Sequence, residues 1–119
     1  MTDTSFEIRP WGRFDIIGSF NIGEVQVVVK KITVTPGKRL SYQSHASRSE
    51  HWYIIAGQGE VELEGNTQTV KAGDSIDIKV GQKHRIGAGS EELIFVEVAT
   101  GTFDEHDIVR YEDDFGRSA

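Results

Sequence analysis

Tyr42–Trp52 reads YQSHASRSEHW, and it holds two of the chain's four histidines and one of its two tryptophans between hydrophobic runs. On a strand, side chains two apart share a face, so Gln43 and His45 point the same way. Glu50 opens the next apolar run, where it can converge on them. His84, in GQKHRI after a glycine turn, is a fourth candidate. An amide oxygen, two imidazoles and a carboxylate form a mixed oxygen and nitrogen donor set. Such a set suits a divalent ion of the Zn, Mn, Fe, Co or Ni kind. Gln43 alone carries no such meaning, and His106 reads as an ordinary surface histidine. His51 stands beside the set and either packs or hydrogen-bonds next to it.

The surrounding chain reads as short strands. EVQVVVKKITV (Glu24–Val34), HWYIIAG (His51–Gly57) and ELIFVEVATG (Glu92–Gly101) carry apolar residues at both parities. That pattern fits strands buried on both faces or crossing between sheets. In EVELEGNTQTV (Glu60–Val70), Val61 and Leu63 alternate with Glu60, Glu62 and Glu64 before Gly65-Asn66. The expectation is a hairpin turning at Gly65-Asn66 with its glutamate face in water. AGDSIDIKVGQKHRI (Ala72–Ile86) adds two strands about a turn at Val80-Gly81. Roughly seven to ten short strands with close turns indicate an all-β sandwich or barrel. Thr102 and Glu105 have capping-box spacing, which leaves one helical turn or a surface wrap open for the tail. Trp11 and Trp52 read as core; Trp52 shares the parity of Glu50 and belongs inside the barrel below the ion.

Composition narrows the function classes. A length of 119 residues fits one domain with its own core. The net charge of −6 argues against a nucleic-acid or polybasic membrane surface. Cysteine is absent, so no disulfide, thiolate ligand or thiol nucleophile is available. MTDTSFEIRPWG lacks the apolar run of a signal peptide and no stretch reaches membrane-spanning length, so a cytoplasmic protein is expected.

Two motifs carry a resemblance. From Gly37 the chain runs Gly37-x5-Gln43-x-His45-x4-Glu50-x6-Gly57, and from Gly73 it runs Gly73-x5-Lys79-x-Gly81-x2-His84. They resemble the paired motifs of the cupin superfamily, with Lys79 where a proline is usual. The resemblance implies an all-β cupin double-stranded β-helix, a jelly-roll barrel with a metal at its mouth. RPWG, KKITVTPGKRLSYQ, RSEHW, KHR and DIVRYEDDFGR are similar to the type II phosphomannose isomerase cupin. In many relatives that module is the C-terminal part of a larger enzyme that also has mannose-1-phosphate guanylyltransferase activity. The likeness runs from Arg9 to Arg117. Ala46 and Ser47 stand where the family often has histidines, and IGAGS replaces a more usual acidic-Asn-Pro pattern after the second motif.

The resemblance implies a single cupin domain over 1–119, with a barrel core near 13–101, an N-terminal arm 1–12 and a tail 102–119. It assigns one divalent metal to Gln43, His45, Glu50 and His84. The implied activity is aldose–ketose isomerisation of a sugar phosphate, mannose 6-phosphate to fructose 6-phosphate, in a homodimer. Arg48, Arg39 and Lys31 are candidates to bind the phosphate. Arg48 sits between His45 and Glu50, so it is also a catalytic candidate. Arg117 joins it provided the tail folds over the mouth. His51 is the candidate base, although a strand residue next to a ligand normally faces away. By the same parity Lys83 and Arg85 should point outward. Three rivals stand beside the isomerase. They are a non-catalytic metal-containing binder of a sugar or other small ligand, a metal-dependent dioxygenase and a metal-free sugar-nucleotide epimerase.

Overall fold

The computed structural model describes residues 5–104 and 106–117. Within them the strands are β1 (Ser5–Arg9), β2 (Gly12–Ile22), β3 (Val25–Val34), β4 (Tyr42–Ser44), β5 (Arg48–Ala56) and β6 (Gln58–Leu63). They continue with β7 (Asn66–Lys71), β8 (Ser75–Ile78), β9 (His84–Ala88), β10 (Leu93–Gly101) and β11 (Val109–Glu112). Among the described residues there is no helix, so none is long and apolar enough to cross a membrane. Glu105, half of the possible capping box, lies outside the described residues, and Thr102–Asp104 carry no regular structure.

Two antiparallel sheets face each other, one ordered β1-β2-β3-β10-β5-β8 and the other β11-β4-β9-β6-β7. Crossing connections return the chain repeatedly from one sheet to the other, which gives a double-sheet barrel. The N-terminal arm and the tail belong to these sheets: β1 pairs along β2, and β11 pairs with β4.

The core lies between the sheets, where Trp52, Ile54, Val61, Ile86, Leu93 and Phe95 are almost wholly buried. Burying such side chains stabilises a fold by about 1.5–3 kcal/mol each before entropy is charged against it. Trp11 is also core, as expected.

Two local expectations change. Along β5 buried Glu50, Trp52 and Ile54 alternate with exposed His51, Tyr53 and Ile55. β10 likewise buries Leu93, Phe95, Glu97 and Ala99 more deeply than the residues between them. Apolar residues at both parities therefore reflect a partly exposed apolar outer face, not burial on both sides.

The β6–β7 turn is Glu64-Gly65, one residue earlier than expected, because Leu63 pairs with Asn66. Both turn residues have positive φ, 48° and 83°. This is the backbone twist of a two-residue hairpin loop, and glycine takes its second position without strain. The wet face of β6 is as expected at Glu60, which is exposed, while Glu62 is half-covered. Glu64 is exposed and its carboxylate accepts a hydrogen bond from the Lys83 amide.

Candidate metal and ligand site

β4 and β9 set His84 and Gln43 directly opposite each other in the five-stranded sheet. Glu50 lies on the facing sheet, where β5 pairs it with Ile78 on one side and Ala99 on the other. His45 follows β4. One ligand atom each from His45, Glu50 and His84 fits within a 4.8 Å span, and all three residues are buried. His45 Nε2 is 3.4 Å from Glu50 Oε2, and His84 Nε2 is 3.8 Å from Glu50 Oε1.

The imidazoles are oriented from behind. His45 Nδ1 donates to the Asp107 carbonyl at 2.7 Å, and His84 Nδ1 donates to the Gln82 carbonyl at 2.8 Å. Each bond fixes the tautomer and turns the Nε2 lone pair toward Glu50, the arrangement that metal-binding histidines use. His84 Nε2 is buried without a hydrogen-bond partner among the described residues. A buried acceptor left in that state is costly, and coordination would satisfy it. Burial pushes the His45 imidazole down to about 4, assisted by the Arg48 charge, and burial also lowers His84. Neutral imidazoles beside a carboxylate are the form a cation needs. The three residues fit a divalent ion, and Gln43 lines the same cavity with an amide to offer.

Sequence reasoning missed Glu97. It faces inward from β10, paired across the sheet with Trp52 and Lys30. The Trp52 indole N–H is shared between Glu50 Oε1 at 3.0 Å and Glu97 Oε1 at 3.2 Å. Burial first, and the Glu50 charge second, push the Glu97 carboxyl up to about 8. The signal was present in LIFVEVATG, where one carboxylate shares the inward parity of Leu93, Phe95 and Ala99. Trp52 lies in the barrel beside His84, with ring centroids 5.7 Å apart.

Asp107 was also missed. Its carboxylate accepts hydrogen bonds from the Ala46 and Ser47 amides at 2.7 and 2.9 Å, while its carbonyl holds His45. Those amides hold the Asp107 carboxyl below its ordinary range. The side chains of Ala46 and Ser47 are exposed and do not line the cavity, so the departure at these positions leaves its wall intact.

Gln43, His45 and Glu50 line a cavity of about 360 Å³ between the sheets. Arg48 lines it, with Nη2 3.1 Å from His45 Nε2 and Nε 3.3 Å from Glu50 Oε2. Arg117 also lines it, and Asp113 grips its guanidinium at 2.8 and 3.1 Å.

The other candidates lie elsewhere. His51 is exposed on the outer face of β5 and bonds Asp77; alternation along the strand turns it away from its neighbour Glu50. Lys31 is exposed, and its neighbour Lys30 lines the cavity instead. Arg39 pairs with Asp114 at 2.6 and 2.9 Å and lines a separate groove of about 490 Å³ on the outer face of the five-stranded sheet. Lys83 is exposed with its ammonium over Tyr111. Arg85 does turn away from the cluster, yet it is buried and reaches Glu112 at 3.1 Å.

Comparison with known proteins agrees with this picture. Residues 2–113 match the family described as mannose-6-phosphate isomerase C-terminal. The chain is 40% identical over 112 residues to a mannose-1-phosphate guanylyltransferase of Salmonella montevideo, covering 92% of this chain and 23% of that protein. It is 39% identical over 113 residues to the alginate biosynthesis protein AlgA of Pseudomonas aeruginosa, covering 93% and 23%. The chain thus spans less than a quarter of the length of these relatives. KdgF from Halomonas sp. superposes with a TM-score of 0.70 at 19% identity, covering 87% of this chain and 90% of that one. That likeness shows the fold. With its two-sheet barrel and its match along almost the whole sequence, the chain belongs to the mannose-6-phosphate isomerase C-terminal family and has the cupin fold.

Proposed function

We propose that this cupin is a cytoplasmic, metal-dependent aldose–ketose isomerase of a sugar phosphate, with mannose 6-phosphate and fructose 6-phosphate as its pair. The observation that carries the reading is the convergence of His45, Glu50 and His84, with Gln43 beside them, in a cavity of a chain of this family.

Isomerisation moves a proton between adjacent carbons through an enediolate. His45, Glu50, His84 and Gln43 would hold a divalent ion, which when bound supplies polarisation of the sugar's carbonyl and hydroxyl oxygens. The chain does the rest. Trp52 and Glu97 fix the Glu50 carboxylate, and the Asp107 and Gln82 carbonyls fix the imidazoles. Arg48 lies where negative charge develops beside His45 and Glu50, and a guanidinium there stabilises it. With His51 outside, proton transfer falls to inward groups. Lys30 and Glu97 are cross-strand partners on the cavity wall, and whichever of them takes the proton from one carbon, in its unprotonated form, would return it to the next.

A panel of hexose phosphates tests the reading, assayed after chelation and after adding back single divalent metals. Interconversion of one aldose–ketose pair, lost on chelation and restored by metal, is the expected result. Stabilisation by a sugar phosphate without turnover on any member of the panel would replace the isomerase with a binding protein.

A further inference from the structure

Beyond the metal-ligating cluster, the cavity has a second chemical neighbourhood. Arg9 comes from β1, Arg110 from β11 and Arg117 from the final turn, and all three line the same cavity. Arg9 pairs with Glu7 at 2.5 Å, and Arg117 donates two bonds to Asp113, whose side chain is only 4% exposed. Arg9 also lies over the Phe14 ring at 5.4 Å, and Lys30 lies 4.4 Å from the same ring centre. The Arg9 and Arg117 forks thus have partners that orient them before any ligand arrives, which lowers the ordering cost of binding.

The three guanidiniums share this wall with Asp113 close by, near enough to feel one another's charge. The same cavity carries these guanidiniums and three of the four donor residues, with Arg110 opposite Gln43 across the β4–β11 pair. Glu7 and Asp113 offset part of this positive charge, and an anionic ligand would offset more of it.

Resting on the sugar-phosphate reading, we propose that Arg9, Arg110 and Arg117 form the seat for the phosphate group of the ligand, delivered by the first and last segments of the chain to the cavity that His45 and Glu50 also line. A phosphate dianion presents several acceptor oxygens at once, and planar guanidinium forks bind such a group better than ammonium groups do. Lys31 and Arg39, which the sequence offered for this role, are outside the cavity. The tail thereby acquires a binding role, since two of the three arginines lie beyond β10.

Calorimetric titration with mannose 6-phosphate, inorganic phosphate and free mannose tests the seat directly. Wild-type protein should bind mannose 6-phosphate and, more weakly, inorganic phosphate. Arg9→Gln, Arg110→Gln and Arg117→Gln should each weaken mannose 6-phosphate by about tenfold to a hundredfold without changing metal content. Arg39→Gln should bind as wild type. Arg117→Gln also loses the Asp113 anchor, so Arg9→Gln, on the first strand of its sheet, serves as the variant least exposed to a folding defect. Unchanged affinity in Arg9→Gln and Arg110→Gln would overturn the seat, as would an equal loss in Arg39→Gln. The two readings also separate. Phosphate binding lost in the arginine variants of a protein without turnover keeps the seat and removes the isomerase. Turnover with an unchanged KM in those variants keeps the isomerase and removes the seat.

Discussion

Arg48 bridges two atoms that a metal would use: its Nη2 donates to His45 Nε2 at 3.1 Å while its Nε faces Glu50 Oε2 at 3.3 Å. A divalent cation at those lone pairs and the guanidinium in its present place compete. Arg48→Met should therefore tighten binding of Co²⁺ or Zn²⁺ in a competition titration. The same change should cut kcat/KM by about 10²–10³-fold, the usual cost of removing a donor aimed at transition-state charge. Weaker metal binding with unchanged turnover would show that Arg48 supports the ligands instead.

Asp107 ties the tail to the loop that carries His45, with two amide bonds to its carboxylate and one imidazole bond to its carbonyl. Asp107→Ala should cost about 1–2 kcal/mol of stability. By loosening His45 it should also weaken metal affinity about tenfold to a hundredfold. Chemical unfolding and metal titration of the same variant check both. A stability loss with intact metal affinity would separate the loop from the ligand.

Trp52 satisfies two buried carboxyl groups with one N–H. Trp52→Phe keeps most of the ring volume and leaves both acceptors without that donor. The expected loss is about 1–3 kcal/mol, read as a lower denaturant midpoint with little change in its slope. A midpoint equal to wild type would mean that Glu50 and Glu97 satisfy each other unaided.

The pH dependence of the metal-free protein has two opposed limbs. His45 is lowered from 6.5 to about 4, so between those values the unfolded chain binds a proton that the folded chain refuses. Stability then falls as pH falls through that window, and His84, lowered in the same direction by burial, adds to it. Glu97 is raised from 4.5 to about 8, so the folded chain keeps a proton that the unfolded chain releases. Its contribution is lost as pH rises through that range. The two oppose each other from pH 4.5 to 6.5, and of the two only Glu97 acts from 6.5 to about 8. Thermal melts in chelator should show His45→Gln with a shallower acid limb and Glu97→Gln with a flattened alkaline limb. A wild-type alkaline slope in Glu97→Gln would place its proton elsewhere.

Much of the site was legible because strand parity and turn chemistry are local. The spacing of Gln43, His45 and Glu50, and the glycine turn before His84, were enough to bring those residues together. Trp52 followed from Glu50 by parity. Lys30 and Lys31 were not separable in the same way, since EVQVVVKKITV has β-branched residues on both faces and a shift of one residue exchanges them. The inward position of Lys30 depends on which face of β3 meets the core, and Ile32 and Val34 decide that only once the sheet is assembled. Arg39 failed for a different reason: it lies between strands, where parity gives no direction, and Asp114 from the far end of the chain captures it. The positions of Asp107, Arg110 and Arg117 depend on a tail with weak periodicity whose path is set by pairing β11 onto β4.

His45 and His84, one from each motif, are proposed to hold one metal ion with Glu50 and Gln43. Elemental analysis of purified wild type beside His45→Ala and His84→Ala, each confirmed folded by its melting curve, tests it most directly. Wild type should carry about one divalent ion per chain, and both variants should carry almost none. Equal metal content in all three folded proteins would contradict the account.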